Sequence, residues 1–305
     1  MRKTAEPTRT RGRISVKRIG LIANPDKIAS RQLIRKVART IERHGRDVLA
    51  DSGTARMADL SVSSFPDVTS LAREVDLLLV FGGDGTMLAA ARAVAGLATP
   101  ILGVNIGSLG FLTEIPSSRV TEELPAIWEG NFSIEERSLL EATGTVSHDD
   151  LFQLALNDFV VSRGATSRLI ELEVLVNGEP LTDYRADGLI ISSPTGSTAY
   201  SLAAGGAIVS PSAAVLTITP ICPHTLSNRS VIVSSESVIE VKVRSQKLEI
   251  FLTADGQVQL PLFSGDRICV RRSTKSVRLV RLPKSSFFQT LRQKLHWSGS
   301  SVTGR

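Results

Sequence analysis

The residues Gly82-Gly83-Asp84-Gly85-Thr86 end the run Val75-Asp76-Leu77-Leu78-Leu79-Val80-Phe81. A short, flat apolar run reads as a strand covered on both faces. The letters after it, Thr86-Met87-Leu88-Ala89-Ala90-Ala91-Arg92, have helix-forming composition. Asp84 is thereby placed in a strand-to-helix turn at the carboxyl end of a buried strand, where open α/β sheets bind ligands. The flanking Gly83 and Gly85 let the backbone approach a ligand closely. An ionised aspartate there can orient a hydroxyl, accept its proton or help hold a divalent cation. The alternative is a tight turn whose aspartate caps the helix.

Three further segments mix glycine with small polar residues. Gly103-Val104-Asn105-Ile106-Gly107-Ser108-Leu109-Gly110-Phe111-Leu112-Thr113 follows another apolar run. Its glycines allow a loop to wrap a flat ligand, with Asn105, Gly107, Phe111 and Leu112 lining a pocket; alternatively it is a connection plugged by Phe111 and Leu112. In Ala155-Leu156-Asn157-Asp158-Phe159 an amide and a carboxylate interrupt an apolar stretch. Such groups need partners when buried. They suit the two hydroxyls of a ribose, or else a bulge satisfied by backbone groups. The longest segment runs from Tyr184-Arg185-Ala186-Asp187-Gly188 through Pro194-Thr195-Gly196-Ser197-Thr198 to Ala199-Tyr200-Ser201-Leu202-Ala203. It reads as a strand, a polar loop and a helix capped by Thr198 or a neighbour, whose free N–H groups and dipole favour an anion.

Two kinds of element must position these segments. From Arg18, apolar strands alternate with helical patterns, Leu33, Ile34, Val37 and Ile41 sharing one face. That alternation predicts a parallel sheet with crossover helices. Asp51 to Ser70 is rich in Ser, Asp and Gly and reads as loop. Beyond about residue 132 the period becomes two: Ile170, Leu172 and Val174, then Ile239, Val241 and Val243, then Leu248, Ile250 and Leu252 alternate with polar residues. Asn177-Gly178 and Asp255-Gly256 are hairpin turns. The expected fold class is therefore α/β plus all-β. A basic arm (1–17) precedes a Rossmann-like domain (18–131), a β-rich, sandwich-like domain (132–282) and a helical tail (283–305) that packs back on the first domain.

Composition narrows the function. The 305 residues carry a net charge of +6, much of it in the arm, and 5% aromatics. Without basic–aromatic interleaving, no nucleic-acid partner is expected. No apolar run reaches membrane length, so no membrane association is expected. No apolar core follows the basic start, which predicts a cytoplasmic protein. The two cysteines, Cys222 and Cys269, read as reduced thiols, Cys222 packed. His44, His148, His224 and His296 show no metal-ligand spacing.

In their order and spacing the four segments strongly resemble the NAD kinase family over about residues 18–282. Thr219-Pro220-Ile221-Cys222-Pro223-His224-Thr225-Leu226-Ser227-Asn228-Arg229 resembles a later signature of the same family. The Gly-Gly-Asp-Gly element alone is shared with diacylglycerol kinases, sphingosine kinases and phosphofructokinases. The resemblance implies transfer of the ATP γ-phosphate to the 2′-hydroxyl of the adenosine ribose of NAD, giving NADP. It implies Asp84 as proton acceptor with Gly85 beside it, and Asn157 and Asp158 as ribose ligands. It implies Arg168, Arg185, Asp187, Thr195, Thr198, Ala199, Tyr200, Ser201, Leu202, Ala203 and Gln257 as further ligand positions. No fixed protein metal site is implied; Mg²⁺, or Mn²⁺, would arrive with ATP. Inorganic polyphosphate is an alternative donor in some relatives, and a homodimer or homotetramer is implied. There is no Gly-x4-Gly-Lys-Ser/Thr loop, so glycine turns and a helix start must hold the phosphates.

Overall fold

A computed structural model describes residues 16–24, 30–108, 110–146, 149–165, 167–283 and 285–297. Residues 1–15 of the expected arm, Pro25, Leu109, His148 and residues 298–305 lie outside them. The chain divides into two compact units: residues up to Glu136 with those from Val277 on, and Arg137–Ser276.

In the first unit β1 (Arg18–Ala23), α1 (Arg31–Arg43), β2 (Asp47–Asp51), α2 (Ser52–Ala58) and β3 (Ser63–Phe65) come first. They lead into α3 (Val68–Glu74), β4 (Leu77–Gly82), α4 (Asp84–Ala93) and β5 (Ile101–Asn105). A short strand, β6 (Ile115–Pro116), and α5 (Val120–Trp128) follow. The strands pair in parallel in the order β3-β2-β1-β4-β5. All six residues of β4 are buried, as its unbroken apolar run predicts. The chain winds outward from β1 to β3 and then returns to place β4 on the other side of β1. That reversal makes a crevice at the carboxyl ends of β1 and β4, the usual ligand position in such sheets. Asp84 stands at the end of β4.

Residues 51–70 correct the loop expectation. They form α2, β3 and the start of α3. The polar letters that suggested a loop are caps: Asp51 accepts from the N–H groups of Gly53 (2.9 Å) and Thr54 (3.2 Å), and Asp67 from that of Ser70 (2.7 Å). Short helices with small residues carry too little apolar periodicity to be seen.

The remaining strands are β7 (Ser133–Val146), β8 (Asp149–Ala155), β9 (Asp158–Arg163), β10 (Ile170–Val176), β11 (Glu179–Ala186) and β12 (Gly188–Ser192). A 3-10 turn (Thr195–Thr198) and α6 (Tyr200–Ala203) lead to β13 (Val215–Ile221), β14 (Val231–Ser234) and β15 (Ile239–Val243). Then come β16 (Ile250–Ala254), β17 (Val258–Leu262), β18 (Arg267–Arg281) and α7 (Phe287–Lys294). Residues 277–281 of β18 and all of α7 belong to the first unit, where Leu279 pairs with Ile101 of β5.

Two antiparallel layers build the second unit: β14-β13-β12-β9-β16-β17 and β11-β10-β15-β18. Leu172, Val174, Val241 and Ile268 of one pack with Phe159, Val161, Leu189, Ile191 and Leu252 of the other in one core. This is the sandwich that the period-two patterns predict. Asn177 (φ 54°) and Asp255 (φ 51°) take the left-handed turn conformation at the two predicted hairpins. The helix expected near Ala199 is only one turn long, and no side chain caps it; the Thr198 hydroxyl instead donates to the Thr195 carbonyl at 3.4 Å. Cys222 is exposed rather than packed, because it lies just beyond the end of β13.

Replacing Asp51 by Ala removes two backbone hydrogen bonds at the start of α2. The variant should lose about 1 kcal/mol of stability, read as a lowered urea midpoint of the transition that reports the first unit.

Candidate functional site

In the first unit Asp84 is the first residue of α4, and the helix is capped by Gly83 with no side-chain bond. The carboxylate is therefore not a cap. It accepts from the backbone N–H of Phe111 through Oδ2 (2.9 Å) and from that of Leu112 through Oδ1 (3.0 Å). Both donors come from the glycine loop after β5, so the two glycine segments of this unit meet at one side chain. Gly110 is needed for that approach: a Cβ built there would stand 2.1 Å from Asp84 Oδ1. Each carboxylate oxygen has two acceptor positions, and one N–H on each leaves capacity for a substrate hydroxyl or a cation. Asp84 and Gly83 are half-buried and Gly85 is exposed.

The loop is shaped from within. Asn105 donates through Nδ2 to the Ser108 carbonyl (2.8 Å) and accepts the Gly107 N–H on Oδ1 (2.8 Å). Its amide is thus committed to the turn. Leu112 is buried and Phe111 half-buried. The buried Thr113 hydroxyl has no hydrogen-bond partner among the described residues.

In the second unit the Asn157-Asp158 pair lies at the start of β9, opposite Ser192 of β12. The turn is held by a residue that sequence reasoning passed over. Asp255, on the β16–β17 hairpin, accepts from the N–H groups of Leu156 (3.1 Å), Asn157 (2.7 Å) and Asp158 (3.4 Å). Ser193 donates its N–H to the Asn157 carbonyl (2.9 Å) and its hydroxyl to the Leu156 carbonyl (2.6 Å). Gly196 sits so close that an added Cβ would be 2.2 Å from the Asn157 oxygen. Thr195 accepts from Arg137 Nη1 at 3.0 Å. The polar loop after β12 is therefore pressed onto the Asn-Asp pair. Asp158 is only 4% exposed. Burial, with a smaller contribution from the charge of Asp255, raises its carboxyl from 3.8 to about 7.

The other predicted ligand positions divide. Thr195 to Ala203 and the exposed Gln257, on the Asp255 hairpin, belong to the Asn157 end of the six-stranded layer. Ser201 is buried and Tyr200 is 47% exposed. Arg185 and Asp187 lie at the other end of β12, roughly 13 Å along the strand. There Asp187 accepts from Arg163 Nε (2.6 Å), and Arg185 pairs with Glu171 (3.1 Å). Arg168 is exposed ahead of β10. Within one chain, the second unit does not bring these three residues to the Asn-Asp pair. Among the described residues no three His, Cys, Asp or Glu side chains cluster to hold a metal, and no helix is long and apolar enough to cross a membrane.

The family model of the ATP-NAD kinase N-terminal domain matches residues 19–132, and that of the C-terminal domain residues 156–282. The chain belongs to the NAD kinase family. An NAD kinase of Desulforamulus reducens is 44% identical over 278 residues, covering 91% of this chain and 96% of the relative. One of Moorella thermoacetica is 44% identical over 285 residues, 93% and 91% of the two chains. The crystal structure of yeast NADH kinase complexed with NADH has a TM-score of 0.86 at 26% identity, covering 95% of this chain and 91% of that one. An NAD kinase from Archaeoglobus fulgidus in complex with ATP has a TM-score of 0.72 at 25% identity, covering 92% and 100%. As an NAD kinase family member the protein is an enzyme that phosphorylates NAD to NADP with ATP as donor.

The Asp158 carboxyl has a direct thermodynamic signature. Its folded pKa lies above its ordinary value, so the folded state holds a proton that the unfolded state has released. Stability that is complete below about pH 4 is lost as pH rises through about 7. The melting temperature of wild type relative to Asp158→Asn should therefore fall between pH 5 and pH 8, by roughly 2–4 °C for each 1 kcal/mol lost. Equal slopes in the two proteins would remove the assignment. Asp255→Asn puts an N–H₂ or a neutral oxygen against three N–H donors. It should lower stability by about 1–3 kcal/mol, seen in the urea midpoint of the second unit.

Proposed function

We propose that Asp84 is the group that orients the 2′-hydroxyl of the adenosine ribose of NAD and takes its proton as the ATP γ-phosphate is transferred. The observation that carries this reading is the carboxylate fixed at the carboxyl end of β4 by two backbone N–H groups, with acceptor capacity left over. Phosphoryl transfer asks the protein mainly for positioning and charge stabilisation, and a carboxylate that cannot swing away supplies the first. Asn157 and Asp158 hold the ribose through their side chains, which the Asp255 anchor leaves available by satisfying their main-chain N–H groups. Thr195, Thr198 to Ala203 and Gln257 complete that ligand set, and the start of α4 favours phosphate oxygens.

The donor chemistry fits magnesium arriving with the nucleotide. Mg²⁺ keeps waters and binds through one or two carboxylates plus substrate phosphates, and Asp84 has an open position on each oxygen. When bound, the ion would neutralise charge developing on the transferred phosphoryl group. Further parts of the reading are a cytoplasmic location, assembly as a homodimer or homotetramer, and use of polyphosphate as well as ATP. Arg168, Arg185 and Asp187 remain ligand positions in the proposal through their match to the family pattern.

Purified protein given NAD, ATP and Mg²⁺ should form NADP, measured with an NADP-specific dehydrogenase; a parallel reaction with polyphosphate decides the donor range. Asp84→Asn should lower kcat by about 10²-fold or more with folding intact. Turnover near wild type would remove Asp84 from this role. Gly110→Ala should act in the same direction by pushing on Oδ1. KM for NAD should rise as pH falls from 8 to 6, because a protonated Asp158 accepts fewer hydroxyls. A flat profile in wild type would count against Asp158 as a ribose ligand.

A further inference from the structure

We infer that Arg281, Leu282, Ser285 and α7 brace the loop that holds Asp84, with Phe287 and Lys294 as positioning residues for the phosphoryl transfer. The inference rests on the reading of Asp84 as the group that takes the hydroxyl proton. All the residues concerned lie in the first unit.

The loop is gripped at two points. At its far end, Glu114 has a side chain only 2% exposed and accepts three donors. These are Arg281 Nη1 at 2.9 Å, the Leu282 N–H at 2.8 Å and the Ser285 hydroxyl at 3.1 Å. Arg281 is itself fixed by Glu135 at 2.7 Å. At the near end, Phe111 meets α7. Its ring centroid lies 6.3 Å from that of Phe287 at an interplanar angle of 40°. Lys294 Nζ, two turns further along the helix, stands 4.8 Å from the same centroid. Both arrangements are attractive for an aromatic face. Phe287 is backed by Phe288 at 5.4 Å, and the buried Leu291 anchors the helix between them.

The residue held this way is the residue whose N–H binds Asp84 Oδ2, and its neighbour binds Oδ1. The path is short: α7 to the Phe111 ring, the Phe111 and Leu112 amides, the carboxylate. Among the described residues between Asn105 and Phe111, Gly107 and Ser108 are exposed and Ile106 is only partly buried, so side-chain packing close to Phe111 is sparse. Without α7 the loop keeps Glu114 and Leu112 as anchors but loses the clamp on the ring, and the two amides wander. The carboxylate then samples more orientations, which lowers turnover while leaving the ribose ligands of the second unit untouched.

The test compares Phe287→Ala, Lys294→Gln and Phe287→Tyr with Gln293→Ala, a substitution on the exposed side of α7. Steady-state kinetics and amide hydrogen exchange of Phe111 and Leu112 are read on each full-length protein. Phe287→Ala should lower kcat by about 10–100-fold, as a small misplacement does, with KM for NAD within about twofold and both amides exchanging faster. Phe287→Tyr should restore kcat and protection, and Gln293→Ala should match wild type. Lys294→Gln should shift the same readouts less, and it carries the test if Phe287→Ala does not fold. Wild-type kcat and wild-type exchange in folded Phe287→Ala would overturn the brace, as would a fall in kcat with the Phe111 and Leu112 amides unchanged. An active Asp84→Asn would overturn the catalytic reading alone, since the exchange measurement needs no turnover.

Discussion

A carboxylate oriented by two main-chain N–H groups is the interaction on which the geometry of the first unit's candidate site depends. Asp84 is delivered to the crevice by the order of the sheet, but strand order fixes only its Cα. The side chain is oriented by Phe111 and Leu112, whose N–H groups belong to a loop beginning after the neighbouring strand. The tie joins two adjacent βα connections, so the register of β4 against β5, with Gly82 beside Asn105, becomes part of the site. Gly110 follows from it, since the approach leaves no room for a side chain.

The second unit repeats the device with different parts. Asp255 gathers three consecutive N–H groups, and the turn it holds presents Asn157 and Asp158. Its charge also works on Asp158, which burial has already made reluctant to ionise. A carboxyl that takes up its proton near neutral pH exchanges an acceptor for a donor there, so its capacity to accept from hydroxyls falls as pH falls. In both units an aspartate accepts main-chain N–H groups from another segment, but Asp84 is itself oriented by the tie whereas Asp255 places the turn that carries Asn157 and Asp158. Hydrogen bonds of this kind lie at the strong end of the protein range.

What could be read from the letters was local. The buried run of β4, the turn carrying Asp84, the period-two strands and both hairpins depend on near neighbours, and the four motif segments supplied the family. Ties between distant residues left no such mark. Asp255 looked like an ordinary hairpin aspartate because its partners lie 97–99 residues away. Phe111 and Phe287 carry no periodic signal linking them. The helices between 51 and 74 were hidden for another reason: Ser, Asp and Gly serve as caps as readily as they serve loops. The short turn after β12 was overread, because Thr198 has a cap-like type but spends its hydroxyl on Thr195.

The left-handed backbone at Asp255 has a consequence for anyone engineering a sturdier variant. At φ 51° an aspartate is mildly strained, and glycine is the residue that relaxes such a position. A campaign guided by torsion angles alone would choose that exchange and welcome the relief. It would at the same time delete the acceptor of three amides at the Asn157-Asp158 turn, and the donors left unpaired would outweigh the torsional relief.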